Sequence, residues 1–317
     1  MGELSKTIGE KGEKLVSEFL KVIGWKNYLE NESIICSCSE AHKRESAKNG
    51  RKTHGIDVFH SFRSNLQDYT LDNIVLSVKY TSEPYPSYPV SKFKEHLKDL
   101  SQTIECFMKS DLRSLNNEEY EMSGIARAND VGVLFWLTNH KESDQDVIAK
   151  ISNINLDRNL NFSTIYVVDN NRAAFIYNSI NYLSKNYDSF ELYFHYAFSS
   201  SNFKDPKIDK FGKIMPVEYF SSNLLPFRLV DKITNKVSFC LASREEFSED
   251  VINRLLCLVS DVSQDFTDDF IFIFPDYDPL EHEKILTKSK QARSRNGEFL
   301  NVTVKSYNYD FRNLINE

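Results

Sequence analysis

The sequence predicts a mixed α/β fold built in two parts. Apolar residues recur at helical spacing in several segments, whereas in others they alternate with polar residues or form short continuous runs, as strands do. The 317 residues are about two domains' worth of chain, and 41% hydrophobic with 27% charged residues is ordinary globular composition. We therefore expect a first α/β domain over residues 1–188 and a C-terminal α/β unit over residues 189–317. The alternative is that the second half extends the first sheet.

The first half begins with a helix expected over residues 9–23, where apolar residues recur every three or four positions until Gly24 ends the pattern. Two segments of alternating residues, 55–62 and 73–80, predict a β-hairpin. The spacing of apolar residues over 90–108 predicts a long amphipathic helix. The other elements expected in this half are strands at 33–38, 131–137 and 164–168 and helices at 146–154 and 172–185.

The second half shows the same two kinds of pattern. Strands are expected at 190–198, 225–230, 236–242, 270–274 and 299–307, and helices at 245–266 and 279–295. No Gly/Ser-rich or Pro-rich linker separates the halves, so the boundary between them is set by pattern alone.

Composition excludes several classes of protein. The longest apolar run, from Val131 to Leu137, is far shorter than the ~20 residues that cross a bilayer, and the N-terminus lacks an apolar signal segment. Five cysteines are too few and odd in number for a disulfide scaffold, which favours free thiols in the cytoplasm. A net charge of −7 argues against nucleic acid binding over the whole surface but leaves room for a local basic groove.

Two residues of the expected hairpin suggest phosphodiester chemistry, which a Mg²⁺ ion held by carboxylates catalyses efficiently. Asp57 lies on the first strand and Lys79 at the end of the second, so antiparallel pairing can bring them together. Ser77 and Lys79 are two positions apart and therefore point to the same face of their strand. The backbone carbonyl of Val78 would remain free to act as a further metal ligand.

Glu13 offers a second carboxylate from the opening helix. It shares the apolar helical face of Val16 and Leu20 rather than the polar side. Burying an unpaired charge costs several kcal/mol or forces its protonation, and a bound cation removes that penalty. The alternative to a metal-binding role is that Glu13 is a solvated acid in the first turn, where the helix dipole favours it.

These residues, taken in order, resemble a known family of enzymes. Gly12-Glu13, then Gly55-Ile56-Asp57, then the strand from Ile74 to Lys79 resemble the PD-(D/E)XK nuclease superfamily over roughly residues 8–140. The similarity is to the Mrr-like restriction endonucleases and the Holliday-junction resolvases in particular. It implies a restriction-endonuclease-like mixed sheet flanked by helices. It also implies that Glu13 and Asp57 bind Mg²⁺ or Mn²⁺ and that Lys79 aids the attacking water.

Ser77 departs from the pattern of the superfamily, which usually has Glu, Asp or Gln at that position. A hydroxyl is a poorer, uncharged ligand for a hard divalent ion. Some members of the superfamily take the acid from the following helix, and Glu95 is the candidate that this resemblance suggests. Loss of catalytic activity is the other explanation.

A basic segment precedes the expected hairpin, where a phosphate backbone would have to pass. We interpret it as a DNA-binding loop, against the alternative of a merely solvated loop. Its basic residues are Lys43, Arg44, Lys48, Arg51 and Lys52.

Two weaker features have simpler interpretations. Cys36-Ser-Cys38 with His42 resembles half of a zinc site, but no second pair of ligands stands at a familiar spacing, so we do not predict zinc from the sequence. His54 and His60 flank the Gly-Ile-Asp strand, and we expect both to be structural.

The sequence therefore favours a metal-dependent DNA endonuclease of restriction or anti-phage defence. A second protein subunit would fit a multi-component system, and cleavage of both strands with one site per chain would favour a homodimer. The alternative is a catalytically inactive subunit that keeps the nuclease fold and binds nucleic acid or a partner protein. An unrelated α/β enzyme is less favoured, because the chain has neither a Gly-rich phosphate loop nor a G-x-S-x-G motif.

Overall fold

The chain divides into two compact units, Met1–Ala173 and Ala174–Glu317. The computed structural model describes residues 2–44, 47–141, 146–198, 201–263, 266–267, 269–295 and 301–308. The division falls inside a helix, Asn170–Asn186, and the boundary expected from the sequence lies after residue 188. A helix that runs across a boundary has no local break in its apolar pattern, so no sequence pattern marks this division.

The first unit contains a five-stranded mixed sheet. Its elements, in chain order, are α1 (Gly2–Val22), β1 (Leu29–Ile35), β2 (Thr53–Arg63), β3 (Thr70–Thr81), α2 (Val90–Phe107), α3 (Asp111–Tyr120), a 3₁₀ turn (Glu121–Ser123), β4 (Arg127–Thr138), α4 (Val147–Ile151), β5 (Thr164–Val168) and the first turn of α5 (Asn170–Asn186), whose remainder belongs to the second unit. The strand order is β1-β2-β3-β4-β5. The first three strands are antiparallel neighbours, whereas β3, β4 and β5 run parallel. The predicted hairpin is confirmed as β2 and β3.

The strand β4 lies between β3 and β5 and is buried from Asp130 to Thr138. Helices cover the two faces of the sheet at this point. Phe19 of α1 packs edge-on against Phe135, whereas Phe93 of α2 stacks on Trp136, the next residue along the strand. Successive side chains of a strand point to opposite faces, so α1 and α2 lie on opposite faces. The continuous apolar run is thus explained by burial on both sides.

Several boundaries differ from those expected. The helix α1 begins at Gly2 rather than residue 9, β1 occupies Leu29–Ile35 rather than residues 33–38, and α4 is only Val147–Ile151. The helix α3 was not predicted at all, because none of its residues is buried and it has no apolar period. A serine N-cap and polar contacts hold it instead: Arg113 donates from Nε to the carboxylate of the buried Asp130 at 2.9 Å.

The second unit has a sheet of its own, so the second half does not extend the first sheet. Its elements are β6 (Phe190–His195), β7 (Phe211–Gly212), a 3₁₀ turn (Val217–Phe220), β8 (Leu224–Asp231), β9 (Val237–Ser243), α6 (Glu249–Ser263), β10 (Asp269–Phe274), α7 (Pro279–Arg295) and β11 (Asn301–Ser306). The strand order is β11-β10-β9-β8-β6-β7. Residues 264–265 and 299–300, within the helix and strand expected there, lie outside the described residues.

Within the described residues, no helix combines the length and apolar character that crossing a bilayer requires.

The burial of His60 predicts a loss of stability in weak acid. Its ring is 6% exposed and packs against Trp25 and Phe62, and neither ring nitrogen has a hydrogen-bond partner among the described residues. Burial lowers the pKa of His60 from 6.5 to about 4. The unfolded chain therefore takes up a proton as the pH falls through 6.5, whereas the folded protein does so only near pH 4, and stability is lost across that interval.

Replacing His60 by phenylalanine should remove this share of the pH dependence. At pH 5 the proton uptake costs about 2 kcal/mol, and His60→Phe should recover that amount in urea unfolding relative to wild type. The matched control is His140→Phe, at a partly exposed position. An unchanged pH slope in His60→Phe would mean that the folded protein accommodates a charged His60.

Candidate active site

The site lies where β2 and β3 separate. The two strands pair from Arg63↔Leu71 to Val58↔Leu76 and no further. Beyond that point β3 remains paired only with β4, up to Thr81. Asp57 fills the gap, because its Oδ2 accepts a hydrogen bond from the backbone N–H of Val78 at 2.6 Å. The side chain of Asp57 thereby satisfies a backbone N–H that a neighbouring strand would otherwise bind at this edge of β3.

The hydrogen bond from Val78 also fixes the direction of its carbonyl. In a strand the N–H and C=O of one residue point to the same edge. The Val78 carbonyl therefore points toward the gap that Asp57 occupies, not toward β4. Its neighbours Ser77 and Lys79 project from the face of β3 that α2 covers, since Lys79 contacts Asp99 of that helix.

Asp99 of α2 is the central acid on that face. Its Oδ2 accepts a hydrogen bond from Lys79 Nζ at 3.2 Å, and its Oδ1 accepts one from Arg51 Nη1 at 2.8 Å. Arg51 is only 10% exposed, whereas the Asp99 side chain is 34% exposed, so the pair is partly accessible to water. These side chains line a cavity of about 180 Å³. Its lining residues are Arg44, Arg51, Gly55, Asp57, Val75, Leu76, Ser77, Lys79, Asp99, Leu100 and Thr103.

Glu13 approaches Asp57 from α1. The helix comes very close to β3 at Gly12, where a Cβ would overlap the side chain of Tyr80. Glu13 is half-buried and lies outside the cavity lining, but it is close enough to Asp57 for the two charges to repel. Burial is the larger cause, and the Asp57 carboxylate adds to it; together they raise the pKa of Glu13.

The two acids of the cavity have opposite electrostatic environments. Burial, reinforced by the charge of Asp99, raises the pKa of Asp57 despite the Val78 N–H, Lys79 and Ser77, which act in the other direction. Burial also tends to raise the pKa of Asp99, but Lys79 and Arg51 outweigh it and the net pKa is lowered. Asp99 is thus held as an anion, whereas Asp57 lacks a full counter-charge.

The expected residues divide into those that meet at the cavity and those that do not. Asp57, Ser77 and Lys79 meet there, with Arg44 and Arg51 from the basic loop. Lys43, Lys48 and Lys52 are exposed and do not line it. Glu95 does not line it either: its side chain is 67% exposed and pairs with Lys92 at 2.8 Å.

Asp99 was not among the expected residues. It lies four positions after Glu95, one turn further along the same face of α2. The polar side of this helix carries several charges, and only the contacts with Lys79 and Arg51 distinguish Asp99 from them. Asp99 therefore lies one helical turn after the expected Glu95, on the same face of α2.

The donor set suits a hard divalent cation. Carboxylate and carbonyl oxygens are the ligands that Mg²⁺ and Mn²⁺ prefer. Burial, with a smaller contribution from a neighbouring carboxylate, raises the pKa of Asp57 and of Glu13, so the protein disfavours the negative charge on each. A cation bound beside Asp57 would balance it.

Comparison with known families now decides the assignment. A family model described as the GAPS4 protein PD-(D/E)XK nuclease domain matches residues 1–172. The chain belongs to this family. The match spans the five-stranded sheet and the cavity at the separation of β2 and β3, so this part is a nuclease domain with a restriction-endonuclease-like fold. Comparison with curated proteins and with solved structures gave no match.

Two glycines of α1 allow the close approach at Tyr80 to be tested in the nuclease domain. Gly12→Ala should lower stability by about 1–3 kcal/mol through overpacking and should reduce any activity that depends on Glu13 or Lys79. Gly9→Ala is the matched control, because no atom lies within 4 Å of its added Cβ and alanine favours a helix by roughly 0.5–1 kcal/mol. Urea unfolding compares the two, and equal stabilities would contradict the close contact.

Proposed function

We propose that the protein is a metal-dependent nuclease that hydrolyses DNA phosphodiester bonds. The observation that carries the proposal is the meeting of Asp57, Lys79 and Asp99 around one cavity in a PD-(D/E)XK nuclease domain. The position usually held by an acid is Ser77, and Asp99 supplies a carboxylate on the same face of the sheet. The site thus keeps its number of acids, one of them moved to α2.

Each residue has a role in this proposal. Asp57 and the Val78 carbonyl offer oxygens that would hold Mg²⁺ or Mn²⁺. Asp99 and Glu13 are the further acids near Asp57, although the three carboxylates do not form one cluster within 4.8 Å among the described residues. The bound ion would stabilise the negative charge that develops on the phosphodiester during hydrolysis. Lys79 orients the attacking water or supports developing charge, since its ammonium group is a fixed donor at the same cavity. Glu95 is not part of this set.

The cations around the cavity favour a nucleic acid substrate. Arg44 and Arg51 line it beside Lys79, so three positive side chains surround two acids. Arginine binds phosphate oxygens with two parallel hydrogen bonds. The exposed Lys43, Lys48 and Lys52 extend the positive surface along the same loop. We propose DNA as the polymer bound there.

The family supports a role in anti-phage defence. The matched region ends at residue 172, and the second α/β unit lies beyond it. We propose that this unit, for which the sequence predicts a start at residue 189, binds a partner subunit or selects the target. A homodimer would place two sites on the two strands of a duplex. The proposed setting is the cytoplasm, where phage DNA is accessible.

A second candidate function rests on Ser77 and on the ion pairs of Asp99. Lys79 and Arg51 already neutralise Asp99, so the domain could bind nucleic acid or a partner without catalysing hydrolysis. In that case Mg²⁺ and Mn²⁺ would neither raise the melting temperature nor support cleavage, while DNA or a partner still bound.

Asp57→Asn should separate metal binding from folding. The amide oxygen can still accept the Val78 N–H, whereas the buried charge with its raised pKa is gone. In buffer without added Mg²⁺ or Mn²⁺ at neutral pH, the variant should melt a few degrees above wild type. It should lose the rise in melting temperature that Mn²⁺ gives wild type.

The same rise should weaken in acid. Because the pKa values of Asp57 and Glu13 are both raised, wild type should lose its Mn²⁺-induced stabilisation at a higher pH than ordinary carboxylates would require. Thermal melts at a series of pH values measure this. A wild-type melting temperature that Mn²⁺ leaves unchanged at every pH would favour the second candidate function.

Asp99→Asn tests the relocated acid. Cleavage of plasmid DNA with Mn²⁺ should fall roughly 100-fold or more, as should cleavage by Lys79→Met. Affinity for a fluorescent DNA duplex should be kept by Asp99→Asn, because the substitution removes a negative charge. Glu95→Gln, one turn away and exposed, is the matched control and should cleave like wild type. Full cleavage by Asp99→Asn would remove Asp99 from the site.

A further inference from the structure

A cluster of four buried side chains lies outside the carboxylate set of the proposed nuclease site. Cys36 follows β1, His42 lies in the basic loop, His54 is in β2 and Cys106 is in the last turn of α2. All four are buried, and one ligand atom from each lies within 4.8 Å of the other three. Four segments of the chain thus deliver two thiols and two imidazoles to one point.

The distances within the cluster match a tetrahedral zinc site. With Zn–S of about 2.3 Å and Zn–N of about 2.05 Å, a tetrahedron has S···S about 3.8 Å, S···N about 3.6 Å and N···N about 3.3 Å. The Sγ atoms of Cys36 and Cys106 are 3.8 Å apart. His42 Nδ1 lies 3.5 Å from each sulfur and 3.2 Å from His54 Nε2.

Hydrogen bonding alone does not account for this arrangement. An imidazole nitrogen is either one donor or one acceptor, yet three potential partners surround His42 Nδ1. A disulfide does not account for it either, because the sulfur atoms are far beyond the bonding distance of about 2.05 Å. A common ligand at the centre satisfies all four side chains.

The outer nitrogen of each histidine has a suitable partner. His42 Nε2 lies 3.2 Å from Glu105 Oε2, and His54 Nδ1 lies 3.3 Å from the hydroxyl of Thr103. That hydroxyl donates its own proton to the carbonyl of Asp99 at 2.8 Å, so it is free to accept one from His54. Such partners fix the tautomer and leave the inner nitrogens, His42 Nδ1 and His54 Nε2, available to a metal.

The surroundings of the Cys106 sulfur would stabilise a negative charge on it. It receives a hydrogen bond from the backbone N–H of Ser37 at 3.3 Å and another from the Ser37 hydroxyl at 3.5 Å. Donors of this kind stabilise a thiolate, which is the form of cysteine that binds metals.

We propose that Cys36, His42, His54 and Cys106 bind a structural Zn²⁺ ion in the nuclease domain. Two sulfur and two nitrogen ligands in a closed tetrahedral set select zinc, whereas the oxygen ligands of the nuclease site suit Mg²⁺ or Mn²⁺. The ion joins the basic loop to β2 and α2. It thereby holds Arg44 and Arg51 at the cavity and, through Thr103, the turn of α2 that carries Asp99.

An outer group of possible ligands provides the discriminating control. Cys38 and Glu105 lie on the far side of His42, with Cys38 Sγ 3.9 Å from Glu105 Oε1. If zinc sat there instead, Cys38 would be required and Cys36 and Cys106 would not. Cys257 is exposed and belongs to neither group.

The experiment measures zinc in the full-length protein, purified without chelators, by elemental analysis and by zinc X-ray absorption. Wild type, Cys38→Ser and Cys257→Ser should each hold about one zinc per chain, whereas Cys36→Ser and Cys106→Ser should hold less than a tenth of that. The wild-type spectrum should show two sulfur ligands near 2.3 Å and two nitrogen ligands near 2.05 Å. This spectrum requires no variant to fold.

Two results would overturn the proposal. One is wild-type protein that stays free of zinc after incubation with zinc chloride and dialysis. The other is zinc that persists in Cys36→Ser but is lost from Cys38→Ser. Neither result depends on cleavage activity, so the zinc site and the proposed nuclease function are tested independently.

Discussion

The hydrogen bond between Asp57 and the backbone N–H of Val78 is the contact on which the nuclease site depends. Backbone donors at a sheet edge need partners, and β2 stops supplying them after Val58. The carboxylate takes over that role at 2.6 Å, and in doing so it becomes buried next to Lys79 and Asp99. The same bond orients the Val78 carbonyl toward the gap. One interaction thus positions two of the oxygens that a divalent ion would use.

Of the three acids around this contact, only Asp99 is neutralised by cations among the described residues. Lys79 and Arg51 neutralise Asp99, whereas burial raises the pKa values of Asp57 and Glu13. Buried carboxylates of this kind reduce stability unless a cation binds. If this site binds a metal ion, it does so at some cost to the stability of the protein without the ion, and buried titratable groups of this kind are typical of functional sites.

How much of the site could be predicted from the sequence depended on the range of the contacts. Asp57 and Lys79 belong to one hairpin, and strand alternation placed them together. Asp99, by contrast, differs from the other charged residues of α2 only in its contacts with Lys79 and Arg51, which the sequence does not reveal. The proposed zinc ligands share this difficulty: Cys36 and Cys106 are 70 positions apart, and the four side chains do not follow a familiar zinc spacing, so His54 was expected only to be structural and Cys106 was not singled out. The polar helix α3 carries no apolar pattern to predict.

Because β2 and β3 separate, one edge of β3 is held by fewer hydrogen bonds than the other. Along one edge, β3 is hydrogen-bonded to β4 as far as Thr81. Along the other, a single side chain bridges an interval that a ladder of hydrogen bonds would otherwise stiffen. A ligand that contacts both Asp57 and Lys79 would connect β2 to β3 across this gap. Binding would therefore reduce the mobility of β2 and of the loop before it.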